Sequence, residues 1–272
     1  MSMIYAIKEI NYDTGIFEYY VYPYAAPVKR NLGLKPQEKI DQDNLLARCN
    51  NLRKLLNNNF LPYQGYSAVL TFSNVALKSL RAKIAIPPEI NTQAEKEKYI
   101  GGKLIEVVRA EVTKFMRKLK RACAGTELRY IFVVSNRTRL SDGSLHPVRV
   151  HVHLILSNPM LRKNGKELCI GTTPLKDIWG YGFVKSEKLK PPEFGRQDFT
   201  ALAKYLIFQS TNLHILHRKS YVSAKCVCMP EEKTTYSVHR PQLQYDTSKY
   251  NVLIKETFPY TDALRRLAVR SK

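Results

Sequence analysis

Residues Val148–Leu156 read VRVHVHLIL, a run of β-branched and aliphatic residues that contains two histidines. Such a run predicts a buried β-strand. Side chains alternate between the two faces of a strand, so His151 and His153 are expected to share one face. Their Cα atoms would lie about 7 Å apart, a spacing from which two imidazoles can converge on one ion. The pair is therefore a candidate metal site, and a purely structural pair of histidines is the alternative.

The patterns on either side of this strand predict an α+β fold. We expect a largely antiparallel central sheet that carries the two histidines, with helices packed on it. The neighbouring strands are predicted at Tyr66–Phe72 and Leu128–Ser135, and an apolar stripe predicts the longest helix over Gln93–Cys123. The remaining predicted elements are a hairpin over Met3–Tyr24, helices over Asp41–Asn57, Thr173–Trp179 and Asp198–Gln209, and a strand over Gly182–Ser186.

These patterns also suggest how the chain is organised. Residues 1–60 are predicted to form an N-terminal hairpin and helix packed on the core. The core itself is expected to span residues 61–212, which contain both histidines and most of the predicted strands. The pattern weakens after residue 212, so residues 213–272 are interpreted as a basic C-terminal extension.

Charge is the strongest compositional signal. The chain has 272 residues, and its 44 Lys and Arg outnumber 23 Asp and Glu, which gives a formal net charge of +21. An excess of this size indicates a polyanionic partner, because cations placed near phosphates release condensed counterions. Nucleic acid is the leading candidate. A ribosomal-type protein and a membrane-surface protein are the alternatives that charge alone leaves open.

Hydropathy and cysteine content point to the cytoplasm. No stretch approaches the roughly 18 consecutive apolar residues of a membrane helix, so no membrane partner is expected. The N-terminal residues lack the apolar run of a signal peptide. Five cysteines without a framework spacing favour a reducing compartment. We therefore predict a cytoplasmic protein.

Tyr205 is the second candidate for chemistry. It lies in the predicted helix of the segment Phe199–Ile207, which reads FTALAKYLI. A tyrosine becomes a nucleophile only when its hydroxyl, with an ordinary pKa near about 10, loses its proton. Lys204 is not an obvious partner, since consecutive helical residues project about 100° apart. The alternative is that Tyr205 only packs against the core.

These motifs, in this order, resemble the HUH endonuclease superfamily. The similarity is greatest to the replication initiators of small phages and plasmids, the group related to filamentous-phage gene II proteins. The histidine motif and the tyrosine motif are each weak alone, whereas their order and spacing are more specific. The segments that carry the resemblance are Asn59-Phe60, Val69–Phe72, Val148–His153, Ile178–Val184, Ala203–Leu206 and Val222–Pro230.

The resemblance implies an activity and its participants. A divalent metal ion, Mg or Mn, would be held by His151, His153 and an acidic or amide group, and Tyr205 would attack a phosphate of single-stranded origin DNA. The product would be a 5′-phosphotyrosine and a free 3′-hydroxyl, with a host helicase and polymerase as further partners. Two places depart from the family's pattern. Phe208 stands where many members carry Lys, and the end of the strand before the metal motif, where several members carry Glu, reads Val134-Ser135-Asn136.

Other interpretations remain open on sequence alone. Cys226 and Cys228, with His217 and His239, suggest a zinc site, although a CxC pair without a second spaced pair is weak evidence. Tyr245 and Tyr250 are spare nucleophile candidates. The chain as a whole is alternatively a basic DNA- or RNA-binding protein without catalysis. A relaxase or a transposase of the same superfamily would keep the chemistry and change its role.

Overall fold

A computed structural model shows a mixed α+β protein, which confirms the predicted fold class. The residues that the structure describes are 4–14, 16–24, 37–61, 64–123, 127–139, 145–157, 174–190, 198–210, 220–239 and 251–256. In chain order they form β1 (Ile4–Asn11), β2 (Ile16–Tyr24), α1 (Gln37–Asn59), β3 (Gly65–Thr71), α2 (Asn74–Ala82), α3 (Gln93–Ala122), β4 (Tyr130–Arg139), β5 (Leu145–Ser157), α4 (Pro174–Trp179), β6 (Val184–Lys188), α5 (Thr200–Gln209), β7 (Val222–Ser223), β8 (Glu231–Ser237) and β9 (Asn251–Glu256).

The chain divides into two compact units, neither of which is continuous in sequence. The first comprises Met1–Asp43, Lys54–Asn59 and Cys228–Lys272, and the second comprises Asn44–Arg53 and Phe60–Val227. The two ends of the chain therefore belong to the same unit, and α1 contributes residues to both. The candidate histidines and Tyr205 all lie in the second unit.

The first unit contains a sheet with the strand order β8-β1-β2-β9. β1 and β2 pair antiparallel as the predicted hairpin, β8 pairs antiparallel with β1, and β9 pairs parallel with β2. Ile10 and Tyr12 are buried at the hairpin end, and Tyr20 contacts them. Lys8 of β1 and Lys54 of α1 both form ion pairs with Glu232 of β8.

The second unit contains the five-stranded sheet β6-β3-β5-β4-β7, in which every neighbouring pair is antiparallel. The strand with the two histidines is β5, at the centre of this sheet. The predicted central antiparallel sheet is therefore confirmed. β5 carries buried Val and Leu on one face and the histidines on the other, as the alternation of its sequence predicts.

One face of this sheet packs against α3 in the main hydrophobic core. Buried residues of β3, β4 and β5 meet the apolar stripe of α3 together with Leu175 and Trp179 of α4. A capping box fixes the start of α3, because Thr92 accepts a hydrogen bond from the Glu95 amide and the Glu95 carboxylate accepts one from the Thr92 amide. The predicted long helix is thus confirmed. Its buried residues are Leu104, Ile105, Val108, Glu111, Val112, Phe115, Met116 and Leu119.

The opposite face of the sheet, which carries the histidines, is covered by α5 where it passes over β4. Ile131, Val133 and Ile155 are fully buried there, and α5 turns its own apolar residues inward. Arg53 of α1 lies beside Asp198, just before α5, with 3.9 Å between Arg Nη1 and Asp Oδ1. Both side chains are largely buried, so this ion pair links α1 to the start of α5.

Some elements were not predicted from the sequence. α2 was missed because it is short, although Ser73 caps it by accepting a hydrogen bond from the Ala76 amide at 3.1 Å. β8 and β9 are also absent from the predicted elements. β8 is charged and mostly exposed, and its pairing with β1 is what identifies it as a strand. The helix α1 also begins earlier than Asp41. Among the described helices, none is long and apolar enough to cross a membrane.

A charged cluster joins three helical segments on the α3 side of the sheet. The Glu111 carboxylate of α3 accepts a hydrogen bond from the Tyr181 hydroxyl at 2.7 Å and from Lys114 at 3.0 Å, and Lys83 lies 3.3 Å away. Burial raises the pKa of the Glu111 carboxyl, but the hydrogen bonds from Tyr181 and the two lysines outweigh burial and lower that pKa to about 2. Burial raises the pKa of the Tyr181 hydroxyl, and the hydrogen bond to Glu111 and the negative charge of that carboxylate raise it further, to about 12.

We expect Glu111→Gln to destabilise the protein by about 1–3 kcal/mol at neutral pH, since charge-assisted hydrogen bonds are lost. The folded pKa lies below the ordinary 4.5, so this stability is present above pH 4.5 and is lost as the pH falls towards 2. The difference in urea-unfolding free energy between wild type and variant should therefore shrink over that range. Glu106→Gln, on an exposed part of the same helix, is the control. A difference that does not change with pH would contradict the charge-based explanation.

Candidate active site

His151 and His153 lie on one face of β5, as predicted. Their rings meet nearly perpendicular, with centroids 4.8 Å apart, and the two Nε2 atoms are 3.1 Å apart. Thr71 of β3 and Ser135 of β4 stand opposite His151, while Val69 and Val133 stand opposite His153. These six residues define what we call the histidine face of the sheet.

The orientation of His151 comes from an irregular part of β5. The register between β4 and β5 shifts between Ser135 and Arg137, immediately before His151 in the strand. The Arg149 carbonyl oxygen lies 2.9 Å from His151 Nδ1. A carbonyl only accepts hydrogen bonds, so Nδ1 is the donor in this contact. The contact turns Nε2, the other ring nitrogen, towards His153.

The protonation state of His153 suits metal binding. Its side chain is only 6% exposed, and burial, together with the charge of neighbouring His151, lowers its pKa to about 3. His153 is therefore neutral at physiological pH. Neutral imidazole is the form that ligates metal ions.

The separation of the two nitrogens fits a shared cation. Two nitrogens that each lie about 2.1 Å from one ion, at roughly 90–109° to each other, are about 3.0–3.4 Å apart. The observed 3.1 Å falls in this range. It also suits a direct hydrogen bond from His153 to His151 in the absence of a cation. A divalent ion at this point would be held by the two Nε2 atoms and would complete its coordination with water or phosphate oxygens.

A third protein ligand is not evident. Among the residues that the structure describes, no group of three His, Cys, Asp or Glu side chains is placed to hold a metal ion. Ser135, which stands opposite His151, lies beside Gln209 of α5; both residues are buried, and Ser135 Oγ is 3.4 Å from Gln209 Oε1. A buried amide oxygen thus lies beside Ser135. The signal for Gln209 in the sequence is its i+4 spacing from Tyr205 on the same helix.

Tyr205 is brought to the histidines by α5. Its ring meets the ring of His153 edge to face, with centroids 5.2 Å apart and planes at 83°. The residue is 49% exposed, so about half of its surface faces solvent. Burial of the remaining half raises the pKa of the Tyr205 hydroxyl. The group therefore needs an electrostatic or proton-accepting partner before it can attack a phosphate.

Lys204 does not provide that partner. Its charge acts instead on the buried thiol of Cys49 in α1, where it partly offsets the burial that raises the Cys49 pKa to about 11. This agrees with the prediction that adjacent helical residues project apart. Phe208 is a partly buried residue of the same helix.

The segment Trp179–Phe183 ties the end of β3 in place beside His151. Trp179 Nε1 donates to the Thr71 carbonyl at 2.8 Å, and the Thr71 amide donates to the Phe183 carbonyl at 2.9 Å. Gly180, with φ of 67°, ends α4 in the left-handed region that favours glycine. Gly182 passes so close to β3 that a Cβ there would lie 2.5 Å from the Thr71 carbonyl oxygen.

We expect Gly182→Ala to destabilise the protein by about 1–3 kcal/mol, because the added methyl group meets rigid backbone rather than a flexible side chain. Urea unfolding measures the change. Gly101→Ala in α3 is the matched control, since nothing lies within 4 Å of that Cβ. It should stabilise the helix by up to about 1 kcal/mol. If the unfolding free energy of Gly182→Ala equals that of wild type, the close contact between Gly182 and the backbone at the end of β3 does not restrict the side chain at this position.

The remaining candidate residues lie elsewhere or outside the described chain. Cys226 Sγ lies 3.6 Å from the Leu128 carbonyl oxygen, and Cys228 Sγ lies 3.4 Å from Asn58 Nδ2. Neither contact is that of a metal ligand. His217, Tyr245 and Tyr250 fall outside the residues that the structure describes. The zinc interpretation and the spare nucleophiles stay predictions.

Comparison with known protein families, curated proteins and solved structures finds no match for this chain. The chemistry of the residues on the histidine face therefore carries the functional assignment. Three features of that face bear on it. The Nδ1 atom of His151 donates to a backbone carbonyl, the Nε2 atoms of the two histidines lie 3.1 Å apart, and a half-exposed phenol adjoins His153.

Proposed function

We propose that this chain is a metal-dependent DNA nickase and strand transferase of the HUH type that initiates rolling-circle replication. The observation that carries the proposal is the contact between the Tyr205 ring and His153, whose Nε2 meets that of His151. A nucleophile beside two converging imidazoles is the arrangement needed for tyrosine attack on a phosphodiester. The net charge of +21 supplies the attraction for a polyanionic substrate.

The residues would share the reaction as follows. A divalent ion, Mg or Mn, held by His151 and His153 would polarise the scissile phosphate. Tyr205 Oη attacks phosphorus, the bond between phosphorus and the 3′ oxygen breaks, and the phenolic proton ends on that oxygen. The products are a 5′-phosphotyrosine and a free 3′-hydroxyl that a host polymerase extends after a host helicase opens the duplex. Resealing reverses the same steps on a second 3′-hydroxyl.

The proposal places the protein in the cytoplasm with single-stranded origin DNA as its substrate. Because the origin sequence is unknown, the test uses a pool of end-labelled, random-sequence single-stranded oligonucleotides. The protein is incubated with the pool and Mn²⁺ or Mg²⁺, and with EDTA in a parallel sample. Complexes that survive denaturing detergent are isolated, and their DNA is sequenced.

The expected result is a detergent-resistant protein–DNA complex that forms only with metal and enriches one sequence. A second outcome is binding to the pool that weakens steeply with salt, with no covalent complex in the presence of either metal. That outcome would favour the non-catalytic DNA- or RNA-binding protein. The presence of Phe208 where relatives carry Lys is the feature that favours this second function. A chain that neither binds nor cleaves the pool would contradict both.

A further inference from the structure

Phe183 is an exposed aromatic residue held on a rigid backbone. Its side chain is 62% exposed. Its carbonyl oxygen accepts a hydrogen bond from the Thr71 amide at 2.9 Å, and its own amide donates to Thr71 Oγ1 at 3.2 Å. The amide and the carbonyl of Phe183 are thus both held by Thr71 of β3, while most of the side chain is exposed. Such a ring is a pre-positioned contact surface.

The register places this ring on the histidine face. Val184, the next residue, stands opposite Leu70 and packs in the core on the α3 side. Neighbouring residues of a strand point to opposite faces, so Lys185 lies on the histidine face. Phe183 directly precedes β6, and its hydrogen bond with the Thr71 amide continues the pairing with β3, so the same alternation places its ring on the histidine face. Phe183, Thr71 of β3 and His151 of β5 then form one row. At a strand spacing of about 4.8 Å, the Phe183 and His151 backbones are about 10 Å apart.

Among the residues that the structure describes, the part of the histidine face between Phe183 and His151 is only partly covered, and we call it the open half. Ser67, Val69 and Thr71 of β3 are partly exposed, whereas Ile131, Val133 and Ile155 are covered. His151 and His153 therefore lie at the border between the covered half and the open half of the sheet. Lys185, an exposed cation opposite Val69, flanks the open half beside Phe183. Glu187 lies farther along β6, away from the histidine row.

An exposed aromatic ring beside a cation is suited to a single-stranded nucleic acid. Nucleotide bases stack on aromatic side chains whatever their identity, and a neighbouring lysine attracts the phosphates. The distance of about 10 Å corresponds to about three stacked nucleotides at a rise of about 3.4 Å, and to fewer when the strand is extended. A phosphate at the histidines and a base on Phe183 are therefore compatible with one strand lying across β3.

We infer that Phe183 forms a base-stacking subsite for single-stranded DNA, with Lys185 contacting the adjacent phosphate. The inference rests on the proposed function and adds the path of the strand, from the histidines across β3 to the edge strand β6. Phe183 positions the substrate and takes no part in the reaction. Its contribution is independent of sequence, because every base offers a stacking face.

The test compares two oligonucleotides of equal length, oligo(dT) and an abasic backbone, in EDTA so that no cleavage occurs. Wild type should bind oligo(dT) more tightly than the abasic strand. Phe183→Ala should weaken oligo(dT) binding by about 5- to 100-fold and leave abasic binding unchanged. Phe183→Leu, apolar but not aromatic, should behave like alanine, whereas Phe183→Trp should retain binding. Lys185→Ala should weaken both strands and reduce the salt slope by about one.

Tyr236→Ala is the matched control, because Tyr236 is a similarly exposed aromatic residue in the first unit, at 60%. It should leave binding unchanged, and circular dichroism should show all variants folded. If wild type binds oligo(dT) but Phe183→Ala binds it equally well, the subsite is refuted and the proposed function stands. If Phe183→Leu retains full binding, the contact is not stacking. If wild type binds neither strand, the proposed function itself fails.

Discussion

The Tyr205→Phe variant is expected to form no covalent DNA complex while it folds and binds DNA like wild type. The substitution removes only the hydroxyl and keeps the ring whose edge-to-face contact with His153 measures 5.2 Å between centroids. Tyr205 is half-exposed, so the lost hydroxyl leaves no buried cavity. The measurement is the amount of detergent-resistant complex formed on the selected oligonucleotide with Mn²⁺, beside an equilibrium binding curve in EDTA.

Tyr236→Phe serves as the matched control, since it removes a hydroxyl of comparable exposure from the other unit and should leave the complex unchanged. A covalent complex that persists in Tyr205→Phe would move the nucleophile elsewhere. Peptide mapping of the adduct would then identify the residue, with Tyr245 and Tyr250 as the next candidates.

The second large effect concerns the histidines. His151→Ala and His153→Gln should each reduce cleavage by more than about 100-fold, a loss larger than that caused by removing a residue that only supports a ligand. Glutamine is chosen at His153 because that residue is buried, and a smaller side chain would leave a cavity. DNA affinity in EDTA should change by only a few-fold, since binding comes mainly from Lys and Arg.

Metal binding gives a readout that does not depend on activity. Wild type should bind Mn²⁺ in the absence of DNA, as followed by paramagnetic resonance, and both variants should lose this binding. His146→Ala, at an exposed histidine of the same strand, is the control and should change neither cleavage nor Mn²⁺ binding. Cleavage by both variants at the wild-type rate in the presence of chelator would refute the metal role and leave the two imidazoles as a structural pair.

The parts of the site that the sequence predicts are those set by periodicity. The two-residue repeat of β5 places His151 and His153 on one face, and the apolar stripe of α3 defines the opposite layer. Both follow from local geometry that any strand or helix obeys. The assignment of Tyr205 to the same site came from a resemblance, and the packing of α5 on β4 gives it a physical basis.

The rest of the site depends on contacts between distant segments. The orientation of the His151 ring depends on the Arg149 carbonyl, which lies 2.9 Å from Nδ1 next to the register shift between β4 and β5. Gln209 approaches Ser135 only because α5 crosses β4. Phe183 stands out only once β6 is paired with β3, since an isolated phenylalanine in sequence gives no sign of exposure. Periodicity contains none of this information.

The strand order β8-β1-β2-β9 has a consequence for synthesis. β1 and β2 leave the ribosome first, whereas both strands that flank them are made after all of β3 to β7. A growing chain therefore carries a two-stranded hairpin with both edges unpaired, a form that is marginally stable and prone to pairing with other chains. The five-stranded sheet has all its strands available earlier. Premature termination before β8 would thus yield a molecule with a complete five-stranded sheet and a vulnerable N-terminal hairpin, a natural target for cellular proteases.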